Sequence, residues 1–426
     1  MNATELKNKV KYIDTEFVYG ATADTKSFYE DRLCQVVDGY TETFGDNDNL
    51  RLFSAPGRTE IGGNHTDHQH GRVLAGSLNL DVLAVASLNG TNKIRIKSEG
   101  YPMDEIDLDD IKIDESKYGK SSALIKGVVA KFLEKGYKVE GFDAYTISNV
   151  LKGSGMSSSA AFEVIVGTII NHMFANGEIS DIEIAQIGQY AENVYFGKPC
   201  GLMDQMACSV GNVVAIDFAS TEKPVVEKVD FDFAKSGHAL CIIDTGADHA
   251  DLTDEYAAIT VEMRKVANYF GKDFLNDVDK NDFMQNMKKV REAVGNDRAV
   301  LRAFHYFNET ERAKQEADAL RAGNFAEFLE IVKKSGLSSY MYLQNVYAAS
   351  KPTEQAVSLA LALCDELLAG KGAFRVHGGG FAGTIQAFVP FEMLDSFKNG
   401  IDAVLGDGAC QVLAIRPVGG VEFKIK

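Results

Sequence analysis

Proline, paired cysteines and long apolar runs are all scarce in this sequence of 426 residues. Only 7 prolines stand against 39 glycines, which indicates that the special turns are built from glycine. The six cysteines are scattered singly, without a CxxC pair or the spacing of a zinc site, as is typical of proteins from the reducing cytosol. We therefore expect a cytoplasmic protein.

Basic residues are also few. They number 44 against 61 acidic residues, so the formal net charge is −17. The mean field of such a chain repels nucleic-acid phosphates and anionic lipids. No stretch approaches the roughly 18 to 20 apolar residues that span a bilayer, and the first 17 residues lack the apolar core of a secretory signal. We expect no binding to nucleic acid or to membranes.

The length and the mixture of elements predict the architecture. The chain is about two to three times as long as a typical domain of roughly 150 residues, and 45% apolar with 25% charged residues is an ordinary globular balance. Strand-like runs such as 73–88 mix with helical stretches such as 252–370 without strict alternation. We expect an α+β fold with mixed or antiparallel sheets flanked by helices. A polar, proline-containing turn at 219–225 predicts two domains, 1–222 and 223–426.

The segment GSGMSSSAA at 153–161 follows a strand-like run and precedes an apolar helix. Gly153 and Gly155 allow a sharp turn. Ser157, Ser158 and Ser159 fall in the first helical turn, where free N–H groups and the helix dipole favour an anion. The segment does not match the GxxxxGK[ST] phosphate loop. It predicts phosphate binding, with a serine-rich helix cap as the alternative.

The segment APGRTEIGGNHTDHQHG at 55–71 concentrates polar groups after a turn predicted at Pro56 and Gly57. These polar residues are Arg58, Glu60, Asn64, His65, Asp67, His68 and His70. Hydrogen-bonding groups on a glycine-rich loop suit a polyhydroxylated ligand, because each hydroxyl needs its own partner. A metal site held by imidazole and carboxylate and a solvated loop are the alternatives.

The segment AENVYFGKPCGLMDQMACSVG at 191–211 contains two separated carboxylates. Glu192 and Asp204 are twelve residues apart, with a Gly-Lys-Pro-Cys-Gly break between them, so they do not share a helix face. This arrangement suits two roles, one as a metal ligand and one beside a reacting hydroxyl. An exposed helix acid and a helix cap are the alternatives.

These three segments and RVHGGGFAGT at 375–384 resemble, in order, the motifs of the GHMP small-molecule kinases. The segment at 55–71 is similar to the signature of the galactokinase branch, and DTGADHADLTDEY at 244–256 resembles that branch too. The likeness runs from about residue 50 to the end. It implies a two-domain GHMP kinase fold with the active site in the cleft between the domains. It also implies Mg²⁺-assisted transfer of a phosphoryl group from ATP to the C1 hydroxyl of galactose.

The resemblance also implies roles for single residues. Asp204 and Arg58 match the catalytic pair, and Ser159 and Glu192 match the Mg²⁺ ligands. The positions that match sugar-binding residues are Asn64, His65, Asp67, Gly201, Asp204 and Tyr256. The positions that match the ATP phosphate loop are Gly153, Ser154, Gly155, Met156, Ser157, Ser158, Ser159 and Ala160. We expect a monomer, with weak homodimerisation as the alternative.

Several residues depart from the galactokinase pattern, and they leave the sugar open. The usual signature GRVNLIGEHTDY reads GRTEIGGNHTDH here, so Asn64 replaces a glutamate. A neutral amide tolerates a carboxylate at C6 that a glutamate repels. A kinase for galacturonate or another modified hexose is therefore an alternative, with Arg72 and His68 as candidate cations. A non-catalytic regulator that binds sugar and ATP is a third reading.

Overall fold

The computed structural model describes residues 1–20, 25–150, 155–198, 200–220, 222–247 and 252–424. The strands are β1 Arg51–Gly62, β2 Arg72–Leu88, β3 Lys93–Ser98, β4 Met103–Asp107, β5 Phe142–Ser148, β6 Val213–Asp217, β7 Val225–Val229, β8 His238–Asp244, β9 Ala373–Val376, β10 Thr384–Pro390, β11 Cys410–Leu413 and β12 Val421–Glu422. The helices are α1 Ala3–Val10, α2 Thr15–Tyr19, α3 Lys26–Phe44, α4 Ser121–Glu134, α5 Ser158–Phe174, α6 Asp181–Tyr190, α7 Met203–Val210, α8 Thr253–Tyr269, α9 Lys280–Val294, α10 Asp297–Arg321, α11 Phe325–Ser338, α12 Ala356–Leu368 and α13 Leu394–Leu405.

The larger sheet has the strand order β12-β1-β2-β5-β3-β4. In addition, β6 pairs with the N-terminal part of β2, and β7 pairs with β6. The pair β3 and β5 is parallel, and the other pairs are antiparallel. The smaller sheet has the order β11-β8-β10-β9 and is antiparallel. The predicted mixed and antiparallel sheets are confirmed.

The change from one sheet to the other lies between β7 and β8. The predicted boundary at 222/223 therefore falls one strand before that change, because β7 still pairs with β6. The C-terminal strand β12 returns to the larger sheet and pairs with β1. The division into two domains stays a prediction.

The apolar run of β2 is buried on both faces of the larger sheet. Val82 and Ala84 point into the core shared with α4 and α5, and Leu83 and Val85 point into the core shared with α1 and α3. Since successive side chains of a strand point to opposite faces, burial of both faces explains the continuous apolar sequence. Helices thus cover both sides of the larger sheet.

The turn predicted at Pro56 and Gly57 is wrong. Both residues lie inside β1, where the pairing with β2 shifts register between Pro56 and Arg58. A bulge tolerates proline within a sheet because the missing N–H is not required for the ladder. Arg58 therefore lies on a strand of the larger sheet, and the connecting loop begins only after Gly62.

No helix in the described ranges is both long and apolar enough to cross a bilayer.

A buried ionic network fastens the N-terminal helices and the C-terminal segment to the larger sheet. Asp81 of β2 accepts hydrogen bonds from Arg32 at 2.6 Å, Tyr19 at 2.8 Å and Arg416 at 3.3 Å. Burial alone would raise the pKa of Asp81, but the two guanidinium charges outweigh burial and hold that pKa below its usual value. Two cations in the interior thus depend on one carboxylate.

We expect Asp81→Ala to lower the free energy of unfolding by about 3 to 5 kcal/mol, because it leaves buried arginines without their counter-ion. Urea unfolding followed by circular dichroism measures the change. The control is Asp38→Asn, which removes an exposed partner of Lys7 and is expected to cost at most about 1 kcal/mol. A loss no larger than that of the control would contradict the assignment.

Candidate active site

A cavity of about 560 Å³ lies between the loop 63–71, helix α8, the start of α7 and the glycine turn that follows β9. It is lined by Arg58, Glu60, His65, Asp67, His68, His70, Gln189, Cys200, Gly201, Leu202, Met203, Phe218, Tyr256, Thr260, Arg264, Phe274, Gly378 and Gly379. Polar side chains and apolar walls converge here, as in many small-molecule sites. Residues from the polar segment 55–71, from the segment 191–211 and from the glycine turn thus meet at one place.

Arg58 and Asp204 form an ion pair at one end of this cavity. Arg58 Nε donates to Asp204 Oδ1 at 2.8 Å, and Arg58 Nη1 donates to the carbonyl of Gly155. The Ser157 hydroxyl donates to Asp204 Oδ2. The guanidinium is almost fully buried, whereas the carboxylate is 35% exposed. The pair therefore fixes its own geometry and leaves the carboxylate open to a ligand.

The Asp204 carboxylate is held in its ionised form. Burial alone would raise its pKa, but the charge of Arg58 and the hydrogen bonds from Arg58 and Ser157 outweigh burial and lower the pKa below its usual value. Asp204 lies in the first turn of α7, where the helix dipole also favours a negative charge. The result is an ionised hydrogen-bond acceptor beside Arg58, which itself lines the cavity.

Asp67 and Gly201 meet on the wall next to that pair. A Cβ at position 201 would lie 2.3 Å from Asp67 Oδ2, so only glycine lets the chain approach this carboxylate. Burial raises the pKa of Asp67 to about 6, and the negative charge of Asp204 adds to the increase. Asp67, which lines the cavity, thus has a higher pKa than the nearby Asp204.

His65 and Tyr256 connect the loop 63–71 and α8 to the glycine turn. His65 Nε2 lies 2.9 Å from the carbonyl of Gly379, and the Tyr256 hydroxyl donates to the carbonyl of Gly380 at 2.8 Å. Burial lowers the pKa of His65 to about 4, so the ring is neutral at ordinary pH. Both predicted sugar-binding residues line the cavity.

Asn64 lies behind the cavity wall and does not line it. Its side chain is fully buried, and its amide nitrogen donates to Glu60 at 3.0 Å and to the carbonyl of Gly378 at 2.7 Å. Its amide oxygen accepts from Asn345 at 2.9 Å and from Ser339 at 3.3 Å. These hydrogen bonds occupy both polar atoms of the amide. Asn64 therefore fastens the loop to the glycine turn, and this arrangement does not offer it to a sugar.

Arg72 is not a cation of this cavity either. Its guanidinium pairs with Asp217 at 2.8 Å and with Glu311 at 3.7 Å, and the cavity lining does not include it. His68 does line the cavity, but burial lowers its pKa to about 3, so it is a neutral imidazole. Neither residue supplies a positive charge next to the predicted sugar.

The start of α5 contacts the Arg58–Asp204 pair. Gly153 and Ser154 lie outside the described residues. Gly155 has a φ of +70°, the carbonyl of Met156 accepts from Arg58 N at 3.2 Å, and the Ser157 side chain bonds Asp204 instead of capping its own helix. Ser157 therefore leaves the first N–H groups of α5 without a side-chain cap from this position, which suits an anion.

A second cavity of about 510 Å³ opens beside this helix start, and sequence reasoning did not find it. Ser158 and Ser159 form part of its lining. The rest of the lining combines apolar and polar side chains, which are Val82, Ser98, Glu99, Tyr101, Asp104, Ser121, Thr146, Ser148, Asn149, Val150 and Phe162. These residues come from five separate stretches of chain without a common motif, so no local signal marks them.

Glu192 is coupled to a further buried carboxylate. Gln205 Nε2 donates to Glu192 Oε2 at 2.9 Å and to Glu163 Oε2 at 3.0 Å. Burial and the charge of Glu192 raise the pKa of Glu163 well above its usual value. Glu163 follows Ser159 by four residues on α5, so the two share a helix face. The spacing of four residues between Ser159 and Glu163 is visible in the sequence. The residues around Glu163 are mostly apolar, so it does not stand out as a site residue.

Two family models match the chain. The model of the GHMP kinases N-terminal domain matches residues 123–212, and the galactokinase galactose-binding signature matches residues 38–88. These two segments hold Arg58, the start of α5 and Asp204, and they confirm the predicted resemblance to the GHMP kinases.

Curated relatives and solved structures agree with this resemblance. The galactokinase of Clostridium tetani is 29% identical over 369 residues, which cover 84% of this chain and 89% of the relative. The galactokinase of Lactococcus lactis subsp. cremoris is 27% identical over 389 residues, or 87% and 91% of the two chains. The crystal structure of Lactococcus lactis galactokinase with galactose matches with a TM-score of 0.77 at 24% identity, covering 92% and 99%. The structural likeness confirms the predicted GHMP kinase fold.

We expect ligand binding in the first cavity to weaken as the pH falls through about 6. Protonation of Asp67, whose pKa is raised to about 6, removes an acceptor for sugar hydroxyls, while Asp204 stays ionised. Profiles of kcat/KM against pH for the wild type and for Asp67→Asn measure this. The inflection near pH 6 should be absent in the variant. An unchanged inflection would assign it to another group.

Proposed function

We propose that this protein is a sugar kinase that transfers the γ-phosphoryl group of ATP to the C1 hydroxyl of galactose. The observation that carries the proposal is the position of the Arg58–Asp204 pair, between the sugar-signature cavity and the uncapped start of α5. In a kinase, the acceptor hydroxyl and the phosphate donor meet where their two binding sites adjoin. The match to the galactose-binding signature and the galactokinase relatives support galactose as the acceptor.

Asp204 orients the acceptor hydroxyl. Its two oxygens are already bonded by Arg58 and Ser157, and the exposed part of the carboxylate accepts a further hydrogen bond from the sugar. Because its pKa is lowered, it is a weak base before the reaction. The C1 oxygen forms the new bond to phosphorus while the bond to the bridging oxygen of ADP breaks. The hydroxyl proton then passes to Asp204 late and on to solvent.

Arg58 stabilises negative charge during the transfer. Its guanidinium is fixed by Asp204 on one side and by the carbonyl of Gly155 on the other, so it needs little reorganisation when charge develops. Burial strengthens this interaction because water does not screen it. A planar guanidinium also presents further N–H groups to phosphate oxygens.

The nucleotide lies along the start of α5. The free N–H groups of the first turn and the hydroxyls of Ser158 and Ser159 are donors for its phosphates. The second cavity begins at these serines, and its apolar side chains Val82, Val150 and Phe162 suit a nucleobase. This cavity is the proposed site of the adenosine part of ATP.

Ser159 and Glu192 would hold the Mg²⁺ ion. The ion supplies charge neutralisation on the phosphates when bound. Glu163 Oε1 is buried and has no hydrogen-bond partner within the described residues. Glu192 is paired with Lys198 at 3.4 Å, so a bound cation would share this carboxylate with a lysine. Mg²⁺ is usually held by one or two carboxylates together with substrate phosphates and water, and the donor set at α5 and Glu192 fits this pattern.

We expect Glu192→Gln to raise the Mg²⁺ concentration for half-maximal rate by at least about ten- to a hundredfold, the scale on which metal sites respond to a lost partner. The assay titrates Mg²⁺ at saturating ATP and galactose. Glu115→Gln, at an exposed position, is the matched control. A Mg²⁺ dependence equal to that of the control would remove Glu192 from the metal site.

We expect Asp204→Asn to lower kcat for galactose by about two to four orders of magnitude, the range of a proton-transfer or positioning group. The measurement is coupled ADP release, with phosphorus NMR to establish that wild type makes galactose 1-phosphate. Calorimetry should show that the variant still binds galactose. The control is Asp407→Asn, an exposed turn residue. Near-full turnover of Asp204→Asn would contradict the role, and the absence of galactose 1-phosphate in wild type would contradict the function.

A further inference from the structure

The two ends of the sugar cavity differ in charge. Asp67 and the Arg58–Asp204 pair mark the end where the phosphorylated hydroxyl lies. Another part of the cavity wall consists of His68 and His70 from the loop 63–71, Thr260 and Arg264 from α8, and Phe274. Thr260 and Arg264 are four residues apart, so they lie on the same face of α8. If the C1 hydroxyl of a pyranose lies at Asp204, as the proposed function requires, this wall is available to the C4–C6 edge of the sugar.

Arg264 is a cation without a counter-ion in the part of the chain that the structure describes. No hydrogen bond or ion pair joins it to a described residue, in contrast to Arg298 and Arg302 of α10, which pair with Glu262 at 2.7 and 2.8 Å. Its guanidinium lies 5.3 Å from the ring centroid of Phe274, and that ring stacks on His70 at 3.7 Å. An aromatic face positions a cation without neutralising it. Arg264 is thus held at the cavity rim with its charge available.

His68 presents a donor of fixed tautomer at the same wall. Gln69 Oε1 accepts from Leu275 N at 3.1 Å, so the Gln69 amide nitrogen is the atom that faces His68 Nδ1 at 3.5 Å. Nδ1 therefore accepts, and the proton of the neutral ring lies on Nε2. That Nε2 is buried and has no hydrogen-bond partner among the described residues. An unsatisfied buried donor is costly unless a ligand completes it.

Within the described residues, this wall contains no carboxylate. The carboxylate of Glu60 is bound to Arg375, and the amide of Asn64 is used inside the protein. The nearby carboxylate of Asp277 does not line the cavity. Its charge raises the pKa of His70, but burial lowers that pKa by more. Since the chain as a whole carries −17, an unpaired cation facing a ligand cavity is a local exception to a field that repels anions.

We propose that the substrate class of this kinase includes galactose-configured sugars with a carboxylate at C6, and that Arg264 and the His68 Nε2–H receive that carboxylate. The inference rests on the proposed function, because Asp204 sets the orientation of the sugar. The carboxylate takes no part in the transfer. It adds a charge-assisted hydrogen bond at the end of the sugar remote from C1, and Arg264 is the residue that determines this specificity.

The test compares kcat and KM for galactose, galacturonate and the neutral methyl ester of galacturonate. Wild type is expected to phosphorylate galacturonate with a lower KM than the ester. Arg264→Gln is expected to raise the KM for galacturonate by at least about tenfold, as for loss of a hydrogen bond to a charged group. Its KM for galactose and for the ester should rise less than its KM for galacturonate. Lys289→Gln, at an exposed position on α9, is the control.

The outcomes separate this inference from the proposed function. Phosphorylation of galactose but not galacturonate by wild type, or an unchanged galacturonate KM in Arg264→Gln, would overturn the inference and leave the function standing. If no sugar were phosphorylated, the function would fail. Calorimetric binding of galacturonate to wild type and Arg264→Gln would then decide the inference, with at least about tenfold weaker binding to the variant supporting it and equal binding overturning it. His68→Phe provides a second variant, which is expected to weaken the binding of galacturonate more than the binding of galactose.

Discussion

The buried ion pair between Glu60 and Arg375 joins the two sheets at the floor of the sugar cavity. Glu60 belongs to β1 and Arg375 to β9, and the arginine also donates to the carbonyl of Ile61 at 2.6 Å. Separating two charges in such an interior costs several kcal/mol, so the two strands keep one relative position. Arg58 precedes Glu60 by two residues on the same face of β1, and the glycine turn begins three residues after Arg375. Both halves of the site are therefore positioned from this one pair.

The loop 63–71 separates its side chains into two groups. Asn64, Thr66 and Gln69 are fully buried and bond the protein itself, and they hold the loop against the glycine turn, its own backbone and the segment before α9. The histidines and Asp67 stay half-buried and line the cavity. A loop has little intrinsic stiffness, so the inward-facing set supplies the rigidity that recognition by the outward-facing set requires.

Much of this site was accessible from the sequence, because chemistry was concentrated in short ordered motifs. The approach of Arg58 to Asp204 and of Asp67 to Gly201 followed from the family resemblance. The direction of single side chains did not. Asn64 was predicted to face the sugar, but a motif fixes a residue's place in the chain and not which side of a loop it occupies. Glu163 lies within an apolar helix and does not stand out in the sequence. Arg264 is notable because no described residue pairs with it, and a sequence does not show pairing.

The return of the chain to its starting sheet has a consequence for biosynthesis. The strand that begins at Val421 pairs with β1, and Arg416 completes the network around Asp81. Most strands of the larger sheet are therefore synthesised early. Its edge strand β12 and the buried Arg416 follow only after the whole smaller sheet has been made. Throughout translation the first half of the molecule carries an uncovered strand edge, the condition in which nascent chains depend most on chaperones.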